Sequence, residues 1–221
     1  MHANNARAGS LYTAAGQRKY LTAAERSRFV NAAIDCRRAE LRALCLMLVY
    51  TGCRISEALA ITPKAIERQA GFVAIRSLKK RKRVVVIREV PVPADLFHAL
   101  HEAHDFEQRD ALLWPLSRTR AWQLIKDIMR EAAVPEGPHM TPKGLRHSFG
   151  IHAIRSGVPL NLVQRWLGHA SMTTTAIYLD ALGEEEREIA ARMWTRSEGL
   201  HGGLEQPVAA VLDLRAGNDA G

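Results

Sequence analysis

Leu41-Arg-Ala-Leu-Cys-Leu-Met-Leu-Val-Tyr-Thr-Gly-Cys-Arg54-Ile-Ser-Glu57 is the stretch on which the fold turns. Leu41, Leu44, Cys45, Leu48 and Val49 fall at i, i+3, i+4, i+7 and i+8, the stripe of a helix with one face in a core. Gly52 is well placed to end that helix, since glycine enters the left-handed closing conformation at no steric cost. A short helix over Ser56–Ala60 is expected next, stopping before Pro63.

Upstream, Thr22 and Glu25 have the spacing of a capping box, so a first helix is expected from there to about Ala33. Residues 1–19 are polar, lack periodicity and read as a flexible lead. Downstream the period changes. Phe72–Arg76 and Val84–Ile87 are rich in β-branched residues, and the basic run Lys79–Arg83 lies between them, which predicts a β-hairpin with a cationic turn. Helices are then expected at about Ala94–His104, Arg120–Ala132, Lys143–Arg155, Leu160–Leu167, Thr173–Leu179 and Glu184–Arg196. Residues 198–221 are Gly- and Ala-rich and read as a tail with one short apolar segment, Val208–Leu214. The expected fold is mainly α with a small antiparallel β-sheet, in one domain over residues 20–197.

Length and composition suit a globular core: 221 residues, 47% hydrophobic and 24% charged. Lys and Arg number 31 against 23 Asp and Glu, a net charge of +8 that favours a polyanionic partner, nucleic acid or an anionic membrane surface. The longest apolar run, Ala43–Tyr50, is too short to span a bilayer, and Met1–Ser10 has no apolar segment of a secretory signal. Cys36, Cys45 and Cys53 lack the clustering of a zinc site and read as reduced structural thiols of a cytoplasmic protein.

Four separated segments carry candidate chemistry. They are Thr51-Gly-Cys-Arg54-Ile-Ser-Glu57; the hairpin turn with Lys79 and Lys80; Lys143-Gly-Leu-Arg146-His147-Ser-Phe; and Leu167-Gly168-His169 followed nine residues later by Tyr178. In this order and spacing the chain resembles the catalytic domain of the tyrosine recombinases, the phage-integrase family, from about Tyr20 to Arg196. The resemblance implies that Arg54, Lys143, Arg146, His169 and Tyr178 are catalytic, with Lys79 as general acid and Lys80 as the alternative, because turn length shifts the alignment by one. Lys80, Arg81, Lys82 and Arg83 would contact DNA phosphates.

The chemistry asks for these residue types. Two guanidinium groups can clamp the non-bridging oxygens of a five-coordinate phosphorus without a metal. A phenol, with a pKa of about 10, must lose its proton as Tyr178 attacks, and the departing sugar oxygen must gain one. By resemblance the product is a 3′-phosphotyrosyl intermediate. It keeps the energy of the broken bond, so no cofactor is expected, and the sequence has neither a P-loop pattern nor an evident carboxylate cluster for magnesium. One position departs from the family pattern: Lys143 stands where the first His of H-x-x-R is usual, and a charged lysine is a poor proton acceptor.

Blander readings apply to other residues. His147 reads as a structural helix residue, and Trp166 as core packing. His98, His101 and His104 read as a solvated helix surface, and Glu184–Glu186 as favourable charge at a helix N-terminus. The resemblance further implies double-stranded DNA as partner, a homotetramer on DNA, a monomer when free, accessory DNA-binding proteins and a C-terminal segment exchanged between neighbours. Family members commonly carry an N-terminal clamp domain, whereas here residues 1–19 precede the catalytic segment, as in the short members. Two rivals remain: a non-cleaving DNA-binding accessory protein of the same fold, and a topoisomerase IB-like nicking and resealing enzyme.

Overall fold

A computed structural model describes residues 10–78 and 86–179. Lys79, Lys80, Arg81, Lys82 and Arg83 lie outside the described residues, as do the expected helix Glu184–Arg196 and the tail. The elements run α1 (Ala23–Asp35), α2 (Ala39–Thr51), α3 (Ile55–Ala58), a 3-10 turn (Pro63–Ala65), β1 (Ile66–Glu67), β2 (Phe72–Arg76), β3 (Ile87–Pro91), α4 (Ala94–Ala103), α5 (Arg118–Glu131), α6 (Pro142–Arg155), α7 (Leu160–Leu167) and α8 (Met172–Ala176). The fold is mainly helical with one small antiparallel sheet, of order β1-β2-β3.

α2 is the centre of the molecule rather than a helix with one buried face. Leu41, Leu44, Cys45, Leu48 and Val49 are buried as the stripe predicts, but so are Ala43, Leu46, Met47 and Thr51 on the remaining sides. α1, α4, α5 and α6 pack around it. Fully burying each large apolar side chain stabilises by roughly 1.5–3 kcal/mol, so this helix anchors the main core. α1 opens on the predicted box: the Glu25 N–H donates to Thr22 Oγ1 (3.3 Å), and the Thr22 N–H donates to a Glu25 carboxylate oxygen (2.8 Å).

The hairpin is where pairing departs from expectation. The described part of the second strand is Ile87–Pro91, which runs beyond the expected Val84–Ile87; Val84 and Val85 lie outside the described residues, and Val73 pairs with Val90 and Ile75 with Arg88. The inward alternation sets this register: Val73, Ile75, Arg88 and Val90 are buried, whereas Ile87 is 61% exposed. β1 was not expected. It pairs with β2 through Ile66–Val73 and Glu67–Phe72.

A second cluster joins Leu11, Phe149, Ile151, Ala153, Ile154, Val163, Leu167 and Tyr178, with Trp166 packed against both clusters. Its Leu11 belongs to the stretch that composition suggested was a flexible lead. Residues 10–19 instead close a turn with a Tyr12–Arg18 bridge, and Leu11 is 2% exposed. Apolar burial of one leucine within a polar segment seats it.

Candidate active site

Gly52 ends α2 with φ 60°, and Arg146 donates from Nη1 to its carbonyl (2.8 Å). A Cβ at this glycine would lie 2.5 Å from the Phe149 ring, so only glycine lets the end of α2 sit this close to α6. The turn delivers Arg54 to the start of α3. There the Arg54 N–H donates to Glu57 Oε2 (3.0 Å), and its Nη1 donates to Oε1 (2.7 Å). Glu57 is buried and takes a second guanidinium, Arg88 Nη2, at 2.6 Å. Burial would raise the Glu57 carboxyl, but Arg88 and then Arg54 hold it below its ordinary value. Arg88 Nε donates to the Trp166 carbonyl (2.6 Å), which ties β3 to the end of α7.

Thr141 caps α6 with its hydroxyl accepting from the Gly144 N–H (3.1 Å), and the helix then presents Lys143, Arg146 and His147. Arg146 is buried. Besides the Gly52 carbonyl it bonds the Leu167 carbonyl from Nη2 (2.7 Å). Two of a guanidinium's five N–H donors thus fasten the ends of α2 and α7. Burial, then the neighbouring Arg54 charge, lowers Arg146 to about 10, which leaves it cationic at neutral pH.

Beyond Gly168, which ends α7, the His169 N–H returns to the Gln164 carbonyl (3.1 Å) and His169 Nδ1 pairs with the hydroxyl of buried Thr175 (3.0 Å). The ring of His169 stacks near that of Tyr178, with centroids 6.2 Å apart and planes 18° apart. Tyr178 lies in a turn just after the short α8, not inside a helix, and its N–H donates to the Thr175 carbonyl (3.1 Å). It is 1% exposed. Its ring lies over Gly150, where a Cβ would come within 2.5 Å of Cε2 and Cζ. The hydroxyl lies 3.3 Å from His147 Nδ1. Burial pushes the phenol up to about 12, against the opposing charges of Arg146 and Arg54.

These groups meet at one cleft of about 770 Å³. Arg54, Lys143, Arg146, His147, His169 and Tyr178 all line it. Lys143 is exposed at its edge. Lys19, Arg118 and Trp122 also line the cleft and went unnoticed in the sequence. Trp122 is 40% exposed, with Lys126 Nζ over its ring at 5.3 Å. Arg88 and Gly150 were likewise missed, and His147 was set aside. A cleft with three guanidiniums, two lysines and a phenol suits a phosphodiester. Among the described residues no group of three His, Cys, Asp or Glu could hold a metal ion. His101 stacks on Phe106 and His104 packs edge-on against Trp114. No described helix is long and apolar enough to cross a membrane.

Comparison with known proteins agrees with this geometry. Residues 19–185 match the profile of the Phage integrase family. Tyrosine recombinase XerD of Mycobacterium leprae (strain TN) is 33% identical over 171 residues, covering 71% of this chain and 53% of that protein. Tyrosine recombinase XerA of Pyrococcus furiosus is 30% identical over 157 residues, covering 68% of this chain and 54% of that protein. The chain spans about half the length of these relatives. Among solved structures, a XerA recombinase crystal structure superposes with a TM-score of 0.64 at 25% identity, covering 79% of this chain and 64% of that one. The catalytic domain of bacteriophage HP1 integrase, at 20% identity, shares the fold with a TM-score of 0.59, covering 81% of this chain and 96% of that one. With the match running unbroken from the start of the first core helix past Tyr178, the chain belongs to the phage integrase family.

Proposed function

We propose that this chain is the catalytic part of a site-specific recombinase that cleaves and rejoins duplex DNA through a 3′-phosphotyrosyl intermediate. One observation carries the reading: Arg54, Arg146, His169 and Tyr178, from three separated segments, line a single cleft. Arg54 and Arg146 would bind the non-bridging oxygens of the scissile phosphate, and their charge would stabilise the extra negative charge that develops at phosphorus. Tyr178 Oη would attack, the bond from phosphorus to the 5′ oxygen would break, and that oxygen would take a proton from Lys79, or from Lys80 in its place. His169 would donate a hydrogen bond to the phosphate. Lys80, Arg81, Lys82 and Arg83 would hold flanking phosphates, and Lys143 would add a donor at the rim.

A relative of similar fold and 25% identity, XerH, has been solved bound to a palindromic difH substrate as a post-cleavage complex. Duplex DNA is therefore the partner proposed here, with a homotetramer assembled on it, a tail at residues 198–221 exchanged between neighbours, and accessory DNA-binding proteins. A cytoplasmic location follows from that substrate. Lys143 favours one rival, an accessory protein that binds DNA without cutting it.

The test is a pool of nicked duplexes with randomised inverted repeats, from which a cleaved strand cannot be resealed. The wild-type chain should leave a protein–DNA adduct on a denaturing gel, and Tyr178→Phe should leave none. Binding without any adduct from the wild type would sink the recombinase reading and leave the accessory one.

A further inference from the structure

We propose that His147 is the proton acceptor for the Tyr178 hydroxyl, taking through Nδ1 the role that a cationic Lys143 cannot fill. This rests on the recombinase reading above. The two side chains come from positions 31 apart in the chain, yet Nδ1 and Oη lie 3.3 Å apart, within reach of a hydrogen bond. The rings meet edge-on, with centroids at 6.0 Å and planes at 60°.

A base needs an empty nitrogen, and the surroundings keep one available. His147 is half-buried. Burial first, then the charges of Lys143 and Arg146 on its own helix and of Lys19 from the N-terminal segment, lower it to about 4. The free imidazole is therefore neutral at neutral pH, with one ring nitrogen as acceptor. Tyr178, from the turn after α8, is the group it faces across the gap. The cations that depress His147 also line or border the cleft. A bound phosphodiester would offset part of their charge and raise the proton affinity of the imidazole when a base is wanted. In the cleavage step the proton passes from Oη to Nδ1 while the Oη–phosphorus bond forms and the phosphorus–O5′ bond breaks. O5′ takes its proton from a separate acid. On rejoining, a 5′-hydroxyl gives its proton back to the deprotonated acid and attacks phosphorus, and His147 returns the other proton to Oη as the phosphotyrosyl bond opens.

The experiment compares wild type, His147→Ala and His147→Gln in single-turnover adduct formation on the nicked duplexes, from mildly acidic to alkaline pH. Both variants should slow cleavage by about 100-fold or more at neutral pH. Their rates should climb about tenfold per pH unit as solvent base takes over, and added imidazole should restore His147→Ala. A His147→Gln rate within about threefold of wild type, or an equal loss at every pH, overturns the proposal. Nitrogen-15 spectra of the free protein supply a readout that needs no DNA. The proposal requires an unprotonated Nδ1 whose signal moves in Tyr178→Phe, and a proton on Nδ1 at neutral pH overturns it. A wild type that forms no adduct while Nδ1 is unprotonated would count against the recombinase reading and leave the Tyr178–His147 pair supported.

Discussion

Gly150→Ala tests whether the notch in α6 holds Tyr178, the proposed nucleophile, in place. The added Cβ would lie 2.5 Å from Tyr178 Cε2 and Cζ and 2.8 Å from Cδ2, whereas ordinary contact begins at 3.4 Å. The ring must therefore retreat by about 0.9 Å. α6 is a continuous helix and cannot yield, while Tyr178 sits in a turn after a five-residue helix and can. Alanine within a helix gains roughly 0.5–1 kcal/mol over glycine. The displaced ring loses packing on the order of 1 kcal/mol, so the two nearly cancel. We expect a melting temperature within a few degrees of wild type. With burial reduced, the phenol should titrate nearer its ordinary value of about 10 than the buried value. Adduct formation should slow by about 100-fold, since a misplacement of about 1 Å is enough to cost that much. Tyrosine absorbance titration of Gly150→Ala, with Tyr178→Phe subtracted, reads the first effect, and the nicked duplex reads the second. A folded variant with the wild-type titration and the wild-type adduct rate would refute the reasoning.

Two other perturbations are informative. Glu57→Ala leaves the buried Arg88 charge without its partner and should destabilise by roughly 3–5 kcal/mol in urea denaturation. Because the folded Glu57 carboxyl is held below its unfolded value of 4.5, its contribution is present above that pH and lost as pH falls through the lower folded value. The variant should show a shallower acid limb, and an unchanged limb would count against the pairing. Arg146→Lys keeps the charge but gives up the fork that spans two carbonyls. It should lower the urea midpoint and abolish the adduct, and a fully stable variant would show that the two carbonyl bonds contribute little.

Much of the site was legible because punctuation in the chain is local. Gly52 and Gly168 end helices at both predicted places, and the Arg54, Arg146, His169 and Tyr178 segments needed only their order and spacing to be recognised. What was hidden depends on distant partners. Arg88 looks like a solvent-facing charge in a strand, and its inward place rests on Glu57, 31 positions earlier, and on the Trp166 carbonyl, 78 positions later. His147 has no local sign of Tyr178, and Gly150 gives no hint that an aromatic ring will lie over it. The stripe on α2 was read as one face because amphipathic periodicity cannot reveal that the polar neighbours of a helix will be few.

Arg146 joins the carbonyl ends of two helices, and that has a consequence for the nascent protein. Its guanidinium has no seat until both α2 and α7 are finished and docked, so ribosomal emergence of α6 alone yields no grip. The pocket between the ends of α2 and α7 is complete only once synthesis has passed Leu167.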